Sequence, residues 1–139
     1  MNVLDMQDVE LPEGDLLSSI FEGQRQLMEK YHDIEQKRGA LVIEPANYGR
    51  IDHRFVQWRI KDVAYRCIEE LTEATNTLKN KPWKQSEVPT DTTHFHEELA
   101  DALHFFIELC ITAGLDAEDL ALMYHRKHAV NQFRQRSNY

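Results

Sequence analysis

No stretch of the sequence is apolar for the ~20 residues that a membrane-crossing helix needs, which excludes a helical membrane span. Alternating strand patterns, a glycine-rich phosphate loop, internal repeats and low-complexity segments are also missing, and these absences leave an all-α chain as the expectation. Cysteine is rare: Cys67 and Cys110 both fall at apolar positions of helical patterns, where buried reduced thiols are expected rather than a disulfide or a metal pair. Lys and Arg never gather into a long stripe, and the formal net charge is −8, so a nucleic-acid polymer is not an expected partner. Residues 1–8 carry neither a basic region nor an apolar core of the kind a secretory signal has, so cytoplasmic residence is expected.

What is present is a 139-residue chain, 42% hydrophobic and 29% charged, of a size for one domain that oligomerisation could complete. Residues 1–14 are acidic and end in Leu11-Pro12-Glu13-Gly14, which reads as a flexible N-terminal arm before a domain at 15–139. From Asp15, an N-cap, apolar residues including Leu16, Ile20, Phe21, Leu27, Met28, Tyr31 and Ile34 recur at three and four, predicting a first helix that ends near Gly39. A connection follows through Pro45, with a short extended piece expected at Leu41–Ile43. The second helix is expected from about Asp52 to Leu78, with Phe55, Val63, Cys67, Ile68, Leu71 and Leu78 facing inward. Pro82 lies in the connection after it. A third helix is expected from Thr92 or Thr93, either of which can cap it, to Gly114. The fourth begins after Asp116 and shows Leu120, Met123, Tyr124 and Val130 to the core. The fold class expected is an antiparallel bundle of about four main helices.

Two of these helices carry acidic residues one turn apart. Glu70 and Glu73 lie three apart on the second, Glu98 and Asp101 three apart on the third, so each pair can project to one side. A single such pair is usually a solvated face. Two pairs, each set in an apolar stripe, point toward a helix seam, where four carboxylates would repel one another unless cations neutralise them. A donor set of hard oxygens suits Mg²⁺ or Mn²⁺. His94, His96 and His104 lie near the second pair, but a di-iron bundle wants Glu-x-x-His on two helices and zinc wants further ligands at familiar spacing, so both are weaker readings. Trp83 reads as a core plug or a base-stacking platform, and Trp58 as a packing residue. Lys127, Asn131 and Arg134 share one face of the fourth helix and could reach phosphate oxygens, or simply form a solvated helix end.

Glu69-Glu70-x-x-Glu73 followed after 24 intervening residues by Glu98-x-x-Asp101 resembles the metal-binding signature of the all-α nucleoside triphosphate pyrophosphohydrolase superfamily, the MazG-like and dimeric dUTPase group. Lys81-Pro82-Trp83-Lys84 and the segment from Tyr124 through Asn131 and Arg134 to Tyr139 look like the dimeric dUTPase and phage dCTPase-dUTPase branch. His128 stands where that branch usually has Asn, and Asn138-Tyr139 where it has Gly-Tyr. The resemblance implies hydrolysis of a (deoxy)nucleoside triphosphate, dUTP or dCTP, to the monophosphate and pyrophosphate; a purine-selective dGTP/GTP enzyme of phage modified-base metabolism is the alternative, and a non-catalytic helical interaction module is the alternative of another class. It also implies two or three Mg²⁺ or Mn²⁺ ions on Glu70, Glu73, Glu98 and Asp101, with Glu69 or Glu73 accepting the attacking water's proton. Lys84, Lys127, Asn131 and Arg134 would hold the phosphates, and Phe21, Gln24 and Trp83 the base and sugar. A dimer or tetramer is the expected assembly, in the host cytoplasm if the chain is phage-encoded.

Overall fold

The computed structural model describes residues 2–137, so Asn138-Tyr139 lies outside the described residues. Its regular structure is helical: α1 (Leu16–Lys37), α2 (Arg54–Asn76), α3 (Thr92–Thr112) and α4 (Ala117–Arg136), with short 3₁₀ turns at Val3–Asp5 and Pro45–Asn47. No strand occurs among the described residues, and Leu41–Ile43 runs without regular structure. Helix starts are set by side-chain acceptors. Asp15 Oδ1 accepts from the Leu17 amide at 3.0 Å, and Asp116 and Asp119 exchange reciprocal bonds at 2.8 and 3.1 Å in a capping box. The cap of α3 is Asp91, not Thr92 or Thr93: its Oδ1 accepts from the His94 amide at 3.0 Å, one carboxylate doing what either hydroxyl could have done one or two residues later.

The α3 end is a Schellman turn. Leu115 donates its amide to the Cys110 carbonyl and Gly114 donates to Ile111, both at 2.9 Å, while Gly114 takes φ +87°. That conformation brings Gly114 against Gly49 of the α1–α2 connection, whose amide donates to the Thr112 carbonyl at 3.0 Å. A Cβ on Gly114 would fall 2.6 Å from the Gly49 Cα, so the connection can lie on α3 only because both residues lack side chains.

The main buried cluster joins Phe21 and Met28 of α1, Ile107, Cys110 and Ile111 of α3, and Ala117 of α4. Helices α2 and α3 pair most extensively, with α1 laid on α3 and α4 touching α1. On α2 the buried side chains are Val56, Val63 and Ala74, and the partly buried Cys67 thiol donates to the Ala102 carbonyl at 3.3 Å. Small residues thus let the two backbones approach beside the acidic pairs. Both cysteines are free thiols.

Much of the expected inward stripe is exposed. Phe55, Ile68 and Leu71 of α2, Leu78 beyond its end at Asn76, Leu16, Ile20, Tyr31 and Ile34 of α1, and Met123, Tyr124 and Val130 of α4 all reach solvent, as does Trp58. For α4 the cause is compositional: its apolar residues are spread around the axis rather than gathered on one side, so only its first turn can join the core. No helix is long and apolar enough to cross a membrane among the described residues.

Candidate active site

The pairing of α2 with α3 brings Glu70, Glu73 and Glu98 together, each with a carboxylate oxygen within 4.8 Å of the others. Glu98 is the deepest, only 9% exposed, and its Oε2 has no hydrogen-bond partner among the described residues. Its Oε1 stands 3.5 Å from His94 Nε2. Burial holds the Glu70 carboxyl up at about 7, reinforced by a proton shared toward Glu98 and then by the negative charges of Glu73, Asp101 and Glu98. Asp101 therefore belongs to the same electrostatic cluster, and it lines one groove with Glu70. Glu69, one position round α2, is exposed and lies outside the close set.

These residues fit a divalent cation. Oxygen donors converge, one of them is buried without a donor, and no Lys or Arg is paired with Glu70, Glu73, Glu98 or Asp101 by an ion pair seen among the described residues. An all-carboxylate set of this kind selects hard ions such as Mg²⁺ and Mn²⁺.

Two hollows open on the cluster. Toward α1 lies a groove of about 570 Å³ that reaches from Glu70 and Asp101 past Gln24 and His104 to Arg59 and Glu108. On the other side, a shallow hollow of about 500 Å³ is bounded by Glu73, Glu98, His94, Asp91 and Lys79. Gln24 is 6% exposed and its Oε1 has no partner, an amide dipole left unsatisfied in the groove wall. His104 Nδ1 lies 2.9 Å from the Ala100 carbonyl, an acceptor that requires a proton on that nitrogen.

At the far end of the groove Arg59 joins three helices. Its guanidinium donates to Glu108 Oε1 of α3 at 3.1 Å and lies 3.6 Å from Glu35 of α1 and 3.8 Å from Asp62 of α2. Burial pushes the Glu108 carboxyl up from its ordinary range, and Arg59 opposes the shift.

The other sequence-predicted residues fall elsewhere. Phe21 is completely buried in the core and presents no face on which a base could lie, because α3 and the start of α4 close over it. Trp83 is 76% exposed, with Lys81 Nζ 5.5 Å from its ring centroid, in a loop that Asn80 closes by two 2.8 Å bonds to the Val88 backbone. Neither Trp83 nor Lys84 lines the groove. Lys127, Asn131 and Arg134 stand on the exposed second half of α4. Arg59, His94, Lys79 and His104 were not singled out for these roles. The first two had a signal, since His94 precedes Glu98 by four residues and Arg59 precedes Asp62 by three, both helix-neighbour spacings.

Among known proteins, the family model described as dUTPase matches residues 16–116, a span that contains α1, α2, α3 and all four acidic residues. No curated protein and no solved structure matches the chain.

Proposed function

Given that the chain belongs to the dUTPase family, we propose that it hydrolyses a deoxynucleoside triphosphate, dUTP in the first place, to the monophosphate and pyrophosphate. The observation that carries the reading is the convergence of Glu70, Glu73 and Glu98, with Asp101 beside them, where Glu70 and Asp101 line a groove of about 570 Å³. Mg²⁺ or Mn²⁺ bound there supplies positive charge that screens the triphosphate and makes water a better nucleophile. Glu70, Glu73, Glu98 and Asp101 hold that charge in place. In the reaction the water oxygen bonds to the α-phosphorus, the α–β anhydride bond breaks and pyrophosphate leaves with the bridging oxygen. Of the two carboxylates that could take the water's proton, Glu73 lies within the cluster and Glu69 outside it, which favours a Glu73 oxygen.

On this reading the nucleoside lies along the groove toward α1. Gln24 offers an unpaired carbonyl oxygen there, an acceptor for an N–H on the polar edge of a base. The proposed phosphate ligands Lys127, Asn131 and Arg134 come from a helix whose packing is on α1, so we assign them to a second copy of the chain that lays α4 over the acidic face. The exposed Ile68, Leu71, Leu99, Leu103 and Phe106 on α2 and α3, and Met123, Val130 and Phe133 on α4, supply apolar surface for that assembly. Lys84 and Trp83, on a loop ending near the outer hollow, are proposed to close over the substrate.

The test is a panel of ribo- and deoxynucleoside triphosphates with Mg²⁺ and Mn²⁺, in which pyrophosphate and orthophosphate are read separately. Pyrophosphate release, fastest with dUTP, is expected; orthophosphate as the first product contradicts the assigned bond cleavage.

A further inference from the structure

His94 is placed by two independent contacts. Its backbone amide is anchored in the first turn of α3 by the Asp91 cap at 3.0 Å, and its side-chain Nε2 reaches Glu98 Oε1 at 3.5 Å, one turn along the same helix. Glu98 is nearly sealed from water, and its second oxygen, Oε2, meets no donor. A carboxylate free to rotate about its last bond could present either oxygen to its neighbours or turn away. A charge contact at 3.5 Å biases Oε1 toward His94 and Oε2 away from it. The close set formed with Glu70 and Glu73 shows that Glu98 reaches the cluster.

We infer that His94 is a positioning residue for the metal centre. Its imidazole holds Glu98 by one oxygen and thereby aims the carboxylate at the ion, in the manner of outer groups that orient metal ligands. The contact is an ion pair when the imidazole carries its proton on Nε2 as well as Nδ1. His94 also bounds the hollow that opens on Glu73 and Glu98. The inference rests on the metal centre proposed above and adds a residue to it that the acidic motif does not contain.

The experiment titrates Mn²⁺ alone into the full chain and follows the free-ion paramagnetic resonance signal for wild type, His94→Ala, His94→Gln and Glu98→Gln. Loss of an outer orienting group weakens metal affinity by about 10- to 100-fold, so His94→Ala is expected to need at least about ten times more Mn²⁺ for half-saturation. His94→Gln, whose amide nitrogen can take the place of Nε2, is expected to recover most of the loss. Metal-free melting temperatures should match wild type in both, which separates positioning from a general loss of structure. If His94→Ala binds Mn²⁺ as wild type does while Glu98→Gln does not, the positioning role is refuted and the metal centre stands. Equal weakening in the Ala and Gln variants also overturns the role, and a wild-type chain that takes up no Mn²⁺ removes the centre and the role together.

Discussion

Replacing Arg59 by Met keeps the aliphatic stem and deletes the charge that holds α1, α2 and α3 at the far end of the groove. The largest consequence falls on Glu108, whose side chain is 14% exposed and whose Oε1 lies 3.1 Å from the guanidinium. Breaking a fully buried ion pair by removing one partner costs about 3–5 kcal/mol, an upper bound here because water still reaches both groups. Glu35 and Asp62, at 3.6 and 3.8 Å, are about a third exposed, and contacts of that kind add about 0–1 kcal/mol each. A loss of about 2–4 kcal/mol is therefore expected, a drop of about 10 °C in melting temperature for a domain of this size.

The pH dependence has a fixed sign. Glu108 already titrates above its ordinary 4.5 in the folded chain, and without Arg59 it must titrate higher still. A carboxyl raised by folding costs stability once pH exceeds its unfolded value, and the cost is complete above its folded value. The deficit of Arg59→Met should thus be largest near neutral pH and shrink as pH falls, vanishing below 4.5, where Glu108 is protonated in both states. Urea titrations of wild type, Arg59→Met, Glu108→Gln and the double variant at several pH values measure it, with the double variant expected to be more stable than the sum of the two single losses predicts. A deficit below about 0.5 kcal/mol, the size of an ordinary surface change, or one that does not vary with pH, would refute the reasoning.

Three further outcomes follow from particular contacts. Gly114→Ala places a Cβ 2.6 Å from the Gly49 Cα at φ +87°, so a loss of about 2–4 kcal/mol is expected from strain and displaced backbone, read by thermal denaturation; an unchanged melting temperature contradicts the close approach. Because the Glu70 carboxyl is held at about 7 without metal, metal-free stability should fall as pH rises from 4.5 through 7, and Mg²⁺ should bind more tightly and release protons over the same window. Calorimetry in buffers of different ionisation enthalpy detects that release, which Glu70→Gln should abolish. Gln24→Ala removes a buried amide whose oxygen has no partner, so stability should change by less than about 1 kcal/mol while KM for dUTP rises about tenfold; a large stability loss with unchanged KM places Gln24 in the core instead.

Helix identity and the acidic pairs were legible because both depend on local spacing. Asp15 and Asp116 cap where the sequence pattern begins, and Glu70, Glu73 and Glu98 meet because each pair lies one turn apart on facing helices. Burial was less legible, since periodicity shows which residues share a side but not what covers that side. Phe21 and Gln24, three apart on α1, illustrate the limit: one is sealed in the core and the other lines the groove, a distinction set by where α3 crosses. Ile68 and Leu71 have the right spacing for a seam, yet no element among the described residues covers them. The Arg59 junction depends on residues from three helices, 24 and 49 positions away from it in the cases of Glu35 and Glu108, and no local pattern could reveal that meeting.

The most direct measurement is anomalous diffraction from crystals of the full chain grown with Mn²⁺ and a non-hydrolysable dUTP analogue. Peaks bounded by the carboxylates of Glu70, Glu73, Glu98 and Asp101, with the analogue's phosphates against them, are the predicted result. Mn²⁺ bound only elsewhere, or an analogue seated away from those four side chains, would contradict it.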